Sequence, residues 1–218
     1  MSLFVNEGAA SAIPLLPEDV YPAVCVMLVD IGDQYSEAFD KTSRKIIISW
    51  ELPGEKLDNG ETRRLSNTYT ASLNAKGNLR KDLISWRGRD FTVEELKKFD
   101  LRNVVGAPCL LSVVHKVGKD GQKRAVIGGI MKLPKAVPTP LATVKPVVFD
   151  LDDPDAALKK TSLPDWIQKR IEESETWKSL QAEAEGTAAE QAGKAEDADQ
   201  APEAPELEEA EDEGVLPF

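Results

Sequence analysis

The chain has 218 residues and a net charge of −11, with 30% of its residues charged, and it contains two cysteines and one histidine. This length suits one domain of ordinary size with appendages, or two small domains. The two cysteines lie inside apolar runs without a paired spacing, so we expect no disulfide and no metal centre. We expect no cofactor either.

The negative charge is concentrated at the C-terminal end. Residues 1–135 contain 20 Lys and Arg against 17 Asp and Glu (+3), whereas residues 181–218 contain 1 against 13 (−12). The acidity is therefore a property of the tail, and the rest of the chain keeps a mildly basic part that suits a nucleic-acid partner. The N-terminus shows no signal-peptide pattern, and no apolar stretch reaches the roughly 18 residues of a membrane span, so we expect a cytoplasmic protein.

Three strands are predicted in the first third of the chain, after an N-terminal arm over residues 1–17. The first strand covers residues 20–31, where apolar and β-branched residues dominate. The second covers residues 45–52 and alternates, so we expect one face in the core and the other in water. The core face carries Ile46, Ile48, Trp50 and Leu52, and the wet face carries Ile47, Ser49 and Glu51. The third strand, residues 64–73, alternates small hydroxyl side chains with larger ones.

A helical insert follows the third strand. Leu79, Leu83 and Trp86 recur at helical spacing, and Gly88 is expected to end this helix. A second short helix is predicted to begin at Thr92, because residues 92–95 have the spacing of a capping box, and to run toward residue 99.

Two more strands are predicted over residues 108–115 and 124–131. They flank Asp120-Gly121, a common hairpin turn, and Gly128-Gly129 predicts a bulge or a sharp bend in the last strand. Three strands, a helical insert and two strands is the connectivity of the OB-fold. We therefore predict a mainly β, five-stranded OB-fold-like barrel with a helical insert between strands 3 and 4, over residues 18–135.

The remaining residues are predicted to form two segments. Residues 136–180 are interpreted as a proline-rich wrap, whose prolines cannot join a ladder continuously, followed by a C-terminal docking helix. The side chains expected to dock are Trp166, Ile167, Ile171, Trp177 and Leu180. Residues 181–218 have almost nothing to bury and are predicted to be a disordered acidic tail.

Cations and aromatic rings are interleaved in and near the insert. Cations follow a phosphate backbone and rings stack on bases, which are the two ingredients of single-strand binding. The predicted single-stranded DNA-binding residues are Arg63, Arg64, Tyr69, Lys76, Arg80, Lys81, Trp86, Arg87, Arg89, Phe91, Lys123 and Arg124. Each charge taken singly also fits a solvated surface, the spacing of Trp86 also fits a core residue, and Tyr69 fits core or stacking equally. Trp50 is assigned to the core.

Motifs of enzymes are missing from the sequence. It has no glycine-rich phosphate loop followed by Lys-Ser/Thr, no nucleophile elbow and no carboxylate set whose spacing indicates a metal-dependent nuclease. We expect a protein that is not an enzyme.

A resemblance covers most of residues 18–180. Residues 79–92, together with 99–101, 108–111 and 133–135, resemble a family of phage-encoded proteins that are similar to single-stranded DNA-binding proteins. The family is associated with phage replication and recombination. If a phage encodes this chain, the resemblance implies that it acts in the host-cell cytoplasm.

The last residues resemble the ending of bacterial single-stranded DNA-binding proteins, where acidic residues precede a terminal Ile-Pro-Phe or similar. Here Leu216, Pro217 and Phe218 match, whereas Gly214-Val215 replace acidic residues nearest the tip. The resemblance implies that Pro217, Phe218 and the terminal carboxylate bind partner proteins. Asp212, Glu213 and Leu216 complete the predicted partner-binding set.

Together these patterns predict a sequence-nonspecific single-stranded DNA-binding protein whose tip recruits replication or recombination enzymes. The alternative is a phage interaction or assembly protein whose barrel binds protein and whose tail is a solubiliser. The sequence leaves open the oligomeric state, a homo-oligomer included, the preference for DNA over RNA and the identity of the partner.

Overall fold

The computed structural model describes residues 14–37 and 40–183. The elements in chain order are β1 (Val20–Ser36), β2 (Lys41–Lys56), β3 (Thr62–Thr70), α1 (Asn78–Arg87), α2 (Val93–Lys97), β4 (Pro108–Val117), β5 (Lys123–Met131), β6 (Val147–Phe149), α3 (Ala156–Lys160) and α4 (Asp165–Glu172). Residues 175–183 are also helical. The chain divides into a unit that ends at Lys178 and a second unit, Ser179–Phe218, and all the numbered elements belong to the first. None of the described helices is long and apolar enough to cross a membrane.

The strands form one sheet in the order β3-β2-β1-β4-β5, with antiparallel pairing throughout, and β6 pairs with β1 in parallel. The predicted mainly β fold, with helices between the third and fourth strands, is confirmed. Within the described residues no ladder joins β3 to β5, so the sheet is open there. We call the segment between β3 and β4, residues 71–107, the insert.

β1 is the strand around which the sheet is organised. On one edge it pairs with β2, and on the other it pairs first with β4 at Val20–Val24 and then with β6 at Met27–Val29. The sequence prediction ended this strand at Gly32, but the chain passes Gly32 at a positive φ of 70° within a register shift and the strand continues. A glycine tolerates this conformation without steric cost.

Both faces of the sheet are covered, which corrects the prediction of a wet face on β2. The first core packs the face bearing Ile48 and Trp50 against the insert, with Leu79, Leu83 and Trp86 of α1. The second core joins Ile47 of β2 to β6 and the C-terminal helices. Ser49 and Glu51 are buried as well. The covering residues lie about a hundred positions downstream, so the alternation of β2 alone could not show them.

Several local signals in the insert and the last hairpin are confirmed. Gly88 ends α1 in the left-handed conformation at φ 70°, and Thr92 forms the capping box with Glu95. The helix that begins there ends earlier than predicted, at Lys97. In β5 the register shifts between Ile127 and Gly129, which leaves Gly128 as the predicted bulge.

The C-terminal segment differs from its prediction in two respects. Val147–Phe149 joins the sheet as β6, because the ladder begins immediately after the last proline of the proline-rich stretch. Of the residues predicted to dock, Ile167 and Ile171 of α4 and Trp177 of the following helix are buried in the second core, whereas Trp166 is 49% exposed and Leu180 37%.

Candidate nucleic-acid interface

A groove with a volume of about 370 Å³ lies between β3 and β5, the two outer strands of the sheet. It is lined by four of the predicted DNA-binding residues: Arg63, Arg64, Lys123 and Arg124. Leu57, Leu65 and Ala125 are among its apolar lining residues. We call it the mouth groove. It brings together two pairs of cations that are far apart in the sequence.

The cations of the mouth groove have few acidic neighbours. Arg63, Arg64 and Lys123 form no ion pair with any residue in the described part of the chain. Arg124 pairs with Asp120, but both side chains are about half exposed. The backbone N–H of Gln122 and then the Arg124 guanidinium hold the pKa of Asp120 below its ordinary value. Exposed pairs of this kind contribute little free energy, so Arg124 can exchange Asp120 for a phosphate.

A polar stripe runs from the mouth groove along the outward face of β3. Its members are Arg64, Ser66, Thr68 and Thr70, and all four are exposed, whereas Leu65, Asn67 and Tyr69 between them are partly or fully buried, which fits the predicted alternation. Six residue steps of a strand span about 20 Å. The stripe is therefore long enough to follow several nucleotides.

At its far end the stripe reaches a second groove of about 460 Å³, which we call the lysine groove. Its lining is polar throughout, with Lys41, Lys45, Thr68, Thr70, Ser72, Asn74, Gly77 and Asn78. Lys45 Nζ donates a 2.6 Å hydrogen bond to Thr70 Oγ1. Arg170 of α4 donates from Nη1 to Thr68 Oγ1 over 3.3 Å.

Sequence reasoning missed Lys41, Lys45 and Arg170. A signal for Lys45 was present, since it lies directly opposite Thr70 in the β2–β3 register and so shares its face. Arg170 could not be found in this way because α4 is about a hundred residues away in sequence. Of the two lysines predicted in the insert, Lys76 lies in the loop that supplies Asn74 and Gly77 to the lysine groove.

A buried carboxylate lies beneath this surface. Glu51 is fully buried and stands opposite Arg64 in the β2–β3 register. Its Oε2 accepts a 2.9 Å hydrogen bond from Thr143 N, and its Oε1 accepts from the hydroxyls of Thr62 and Thr143. Burial alone raises the pKa of Glu51, but the hydrogen bonds from Thr143 and Thr62, with the charge of Arg64, bring it below its ordinary value.

The four arginines of the insert are all paired with carboxylates inside it. Arg80 contacts Asp90 at 3.2 Å, and Arg102 contacts Asp100 at 2.9 Å. Arg87 and Arg89 share Glu95 as their partner. Arg89 donates two hydrogen bonds to its carboxylate, at 2.7 and 2.9 Å.

These pairs strongly perturb Glu95. The guanidinium of Arg89, followed by the backbone N–H of Thr92, lowers the pKa of Glu95 to about 2. Its charge therefore persists across the physiological range and offsets part of the positive charge of the insert. Lys81, by contrast, is exposed and forms no ion pair with the described residues.

Three rings predicted as stacking platforms belong to the first core instead. Tyr69 is 3% exposed, Trp86 6% and Phe91 8%. Tyr69 OH donates to Asp82 Oδ2 at 2.7 Å, and Trp86 Nε1 donates to Pro108 O at 2.8 Å. Phe91 packs edge-on against Phe99, with ring centroids 5.0 Å apart. Almost all of their apolar area is buried, which leaves little ring surface on which a base could stack. Trp50 is in the core as predicted.

Within residues 14–37 and 40–183 no three His, Cys, Asp or Glu side chains come together as metal ligands. Burial raises the pKa of the Cys25 thiol to about 12 and that of Cys109 as well, so neither is a nucleophile near neutral pH. The predicted partner-binding residues Asp212, Glu213, Leu216, Pro217 and Phe218 lie outside the described residues, as does most of the predicted disordered tail.

Comparison with known proteins assigns no relative to this chain. No known protein family matches it, and no curated protein matches it either.

Proposed function

We propose that this protein binds single-stranded DNA without sequence preference, in phage replication or recombination. The strand follows a path from the mouth groove along the polar stripe to the lysine groove. The observation that carries the proposal is the convergence of Arg63 and Arg64 with Lys123 and Arg124 on one groove, where three of the four cations have no ion-pair partner among the described residues. A groove lined by unpaired cations attracts a polyanion.

The order of the strands supports an OB-fold as the framework of this site. β3-β2-β1-β4-β5, with helices between β3 and β4, is the connectivity expected of an OB-fold, in which the face of the second and third strands and the neighbouring loops bind oligonucleotides. The exposed stripe lies on β3, and the groove at its end includes residues of the β4–β5 hairpin.

The side chains along the path favour contacts to the backbone of the strand over contacts to its bases. Cations and hydroxyls bind phosphate and sugar, which carry no sequence information. Because the rings predicted to stack are buried, affinity is expected to come mainly from charge, and it should fall steeply with salt.

The experiment is a titration of the full chain with fluorescein-labelled oligo-dT, followed by fluorescence anisotropy over a series of salt concentrations. If four cations contact phosphates, log K should fall against log salt with a slope of about −3. Duplex DNA of the same length and oligo-U serve as competitors for strandedness and sugar. Absent or salt-independent binding would contradict the proposal, and would favour the alternative in which the sheet domain binds protein.

We also propose that the C-terminal tip recruits replication or recombination enzymes, on the resemblance of Leu216, Pro217 and Phe218 to bacterial tails. Phe218→Ala should abolish capture of purified enzymes of these classes while the affinity for oligo-dT stays the same. Leu207→Ala, an apolar truncation elsewhere in the tail, is the matched control. Equal capture by both variants would show that the tip is not the recruiting element.

A further inference from the structure

A separate cavity of about 360 Å³ lies beside the insert and shares no lining residue with the mouth groove or the lysine groove. Its apolar lining includes Leu83, Trp86, Phe99, Val104, Pro108 and Leu133. This volume falls in the range of sites that bind small molecules or single side chains. We call it the apolar cavity.

Arg87 lines the apolar cavity and brings positive charge to its wall. Its guanidinium lies over the rings of Phe91 at 4.3 Å and Phe99 at 5.2 Å. Arg87 Nη2 is paired with Glu95, whereas Nη1 is buried and has no hydrogen-bond partner. An unsatisfied buried donor costs free energy, and a charged donor costs more. This N–H is not itself accessible from the cavity, so the cavity receives the charge of Arg87 and not this hydrogen bond.

A second cation lines the same cavity. The aliphatic stem of Lys132 passes over the end of α1, where a Cβ added to Gly88 would lie 2.7 Å from Lys132 Cδ. Lys132 forms no ion pair with any described residue. The indole N–H of Trp86 already donates to Pro108 O and is not available to a ligand. The positively charged residues of the lining are Arg87 and Lys132.

We propose that the apolar cavity binds an acidic peptide segment of a partner protein. One apolar side chain of the peptide fills the cavity, and a neighbouring carboxylate accepts a hydrogen bond from Lys132 Nζ, with the charge of Arg87 nearby. A single carboxylate matches the lysine of the lining, which has no ion pair among the described residues. Apolar pockets lined by aromatic rings and an arginine are typical of the parts of protein interfaces that contribute most binding energy.

A nucleic-acid strand fits this cavity less well. Glu95 is bonded to Arg87 and keeps its negative charge, and the charge of Asp90 also interacts with Arg87. These carboxylates repel a chain of phosphates more than they repel one carboxylate. The proposal therefore does not depend on DNA binding by the mouth groove.

The test uses the full chain and a fluorescein-labelled, C-terminally amidated pentapeptide in which two aspartates flank a phenylalanine. Lys132→Glu should weaken its binding about tenfold or more, because a hydrogen bond to a charged group is replaced by repulsion. Lys135→Glu, the same change at an exposed lysine outside the cavity lining, should leave the affinity unchanged. Ala107→Leu, which fills the cavity from its wall, should also weaken binding.

Two altered peptides separate the two parts of the contact. Replacing the aspartates by asparagines should cost about as much affinity as Lys132→Glu, and replacing the phenylalanine by serine should cost as much as Ala107→Leu. Saturable binding that Lys132→Glu weakens and Lys135→Glu does not supports the proposal. Equal effects of the two lysine changes, or no saturable binding, would overturn it. So would a tenfold loss of oligo-dT affinity in Lys132→Glu, since that outcome places the DNA strand in the cavity.

Discussion

The mouth groove and the insert are both rich in cations, but they differ in the acids beside them. At the mouth groove Arg63, Arg64 and Lys123 have no ion-pair partner among the described residues, and only Arg124 is paired. In the insert every arginine is bonded to Asp90, Glu95 or Asp100. Under the proposed function, cations contribute to a polyanion site where no carboxylate is ion-paired with them.

Each region also contains a carboxylate that accepts several hydrogen bonds, and the donors differ between the two regions. Glu95 is paired with two arginines, so its negative charge offsets part of the positive charge of the insert. Glu51, beside the mouth groove, is bonded by the hydroxyls of Thr62 and Thr143 and by a backbone N–H. Neutral donors satisfy its oxygens, and Arg64 stays available on the surface.

The largest expected effect is on DNA affinity at the mouth groove. Arg64→Ala combined with Lys123→Ala should weaken oligo-dT binding about a hundredfold, since a hydrogen bond to a charged group contributes about 1.5 kcal/mol or more at each position. The salt slope should become shallower by about 1.4, because two phosphate contacts are lost. Fluorescence anisotropy over a salt series measures both quantities.

The matched control removes two arginines from the insert. Arg80→Ala combined with Arg89→Ala should change the oligo-dT affinity less than about threefold, since Asp90 and Glu95 offset the charge of these cations and repel a phosphate. If both double variants weaken binding equally, the two regions do not differ as proposed and the strand contacts the insert as well.

The next largest effect is on stability, at the carboxylate beneath the mouth groove. Glu51→Ala should lower the free energy of unfolding by about 2 kcal/mol, because the buried donors of Thr62 and Thr143 lose their acceptor. The folded-state pKa of Glu51 lies below its ordinary value, so its contribution is complete above that ordinary value and is lost as the pH falls through the folded pKa. Urea denaturation at pH 7 and pH 3 measures both effects. An equal loss in Thr42→Ala, a partly exposed site on the same strand, would show that the bonded carboxylate is not the cause.

Local sequence patterns predicted the strands that carry the mouth groove, but not the long-range contacts beneath it. Alternation in β3 and the turn residues around Asp120 predicted the elements that carry the mouth groove, because these signals are local. The burial of Glu51 depends on Thr143, which is 92 positions away, and no local pattern contains that contact. The pairing of Arg87 with Glu95 could have been anticipated, since the two residues are only 8 positions apart.

The buried ring of Tyr69, in β3, provides a smaller test of the comparison. Tyr69→Phe should lower the free energy of unfolding by about 1 kcal/mol, because the hydrogen bond to Asp82 is lost. The change should leave oligo-dT affinity within about twofold, since the ring is buried and no base reaches it. Burial already raises the pKa of Asp82 and the Tyr69 bond lowers it, so the variant should raise it further. A large loss of DNA affinity with unchanged stability would mean that Tyr69 contacts the DNA strand.

The smallest expected effect comes from releasing the arginines of the insert. Glu95→Gln should strengthen oligo-dT binding about two- to fivefold, the range that corresponds to an exposed charge contact of up to about 1 kcal/mol. Glu94→Gln removes the same charge from the neighbouring position, which has no ion pair among the described residues, and should have a weaker effect. Equal effects of the two variants would mean that net charge, and not the pairing of Glu95, keeps the insert from contributing.

The pH dependence of the same variant separates pairing from net charge. The pKa of Glu95 is lowered from 4.5 to about 2, so its stabilising contribution is complete above 4.5 and disappears as the pH falls through about 2. The difference in Tm between the wild-type protein and Glu95→Gln should therefore stay constant from pH 7 to about pH 5 and shrink toward pH 2. A difference that vanishes already at pH 4 would mean that Arg87 and Arg89 are not held by Glu95. Those arginines would then be available to a strand, and the distinction between the insert and the mouth groove would fail.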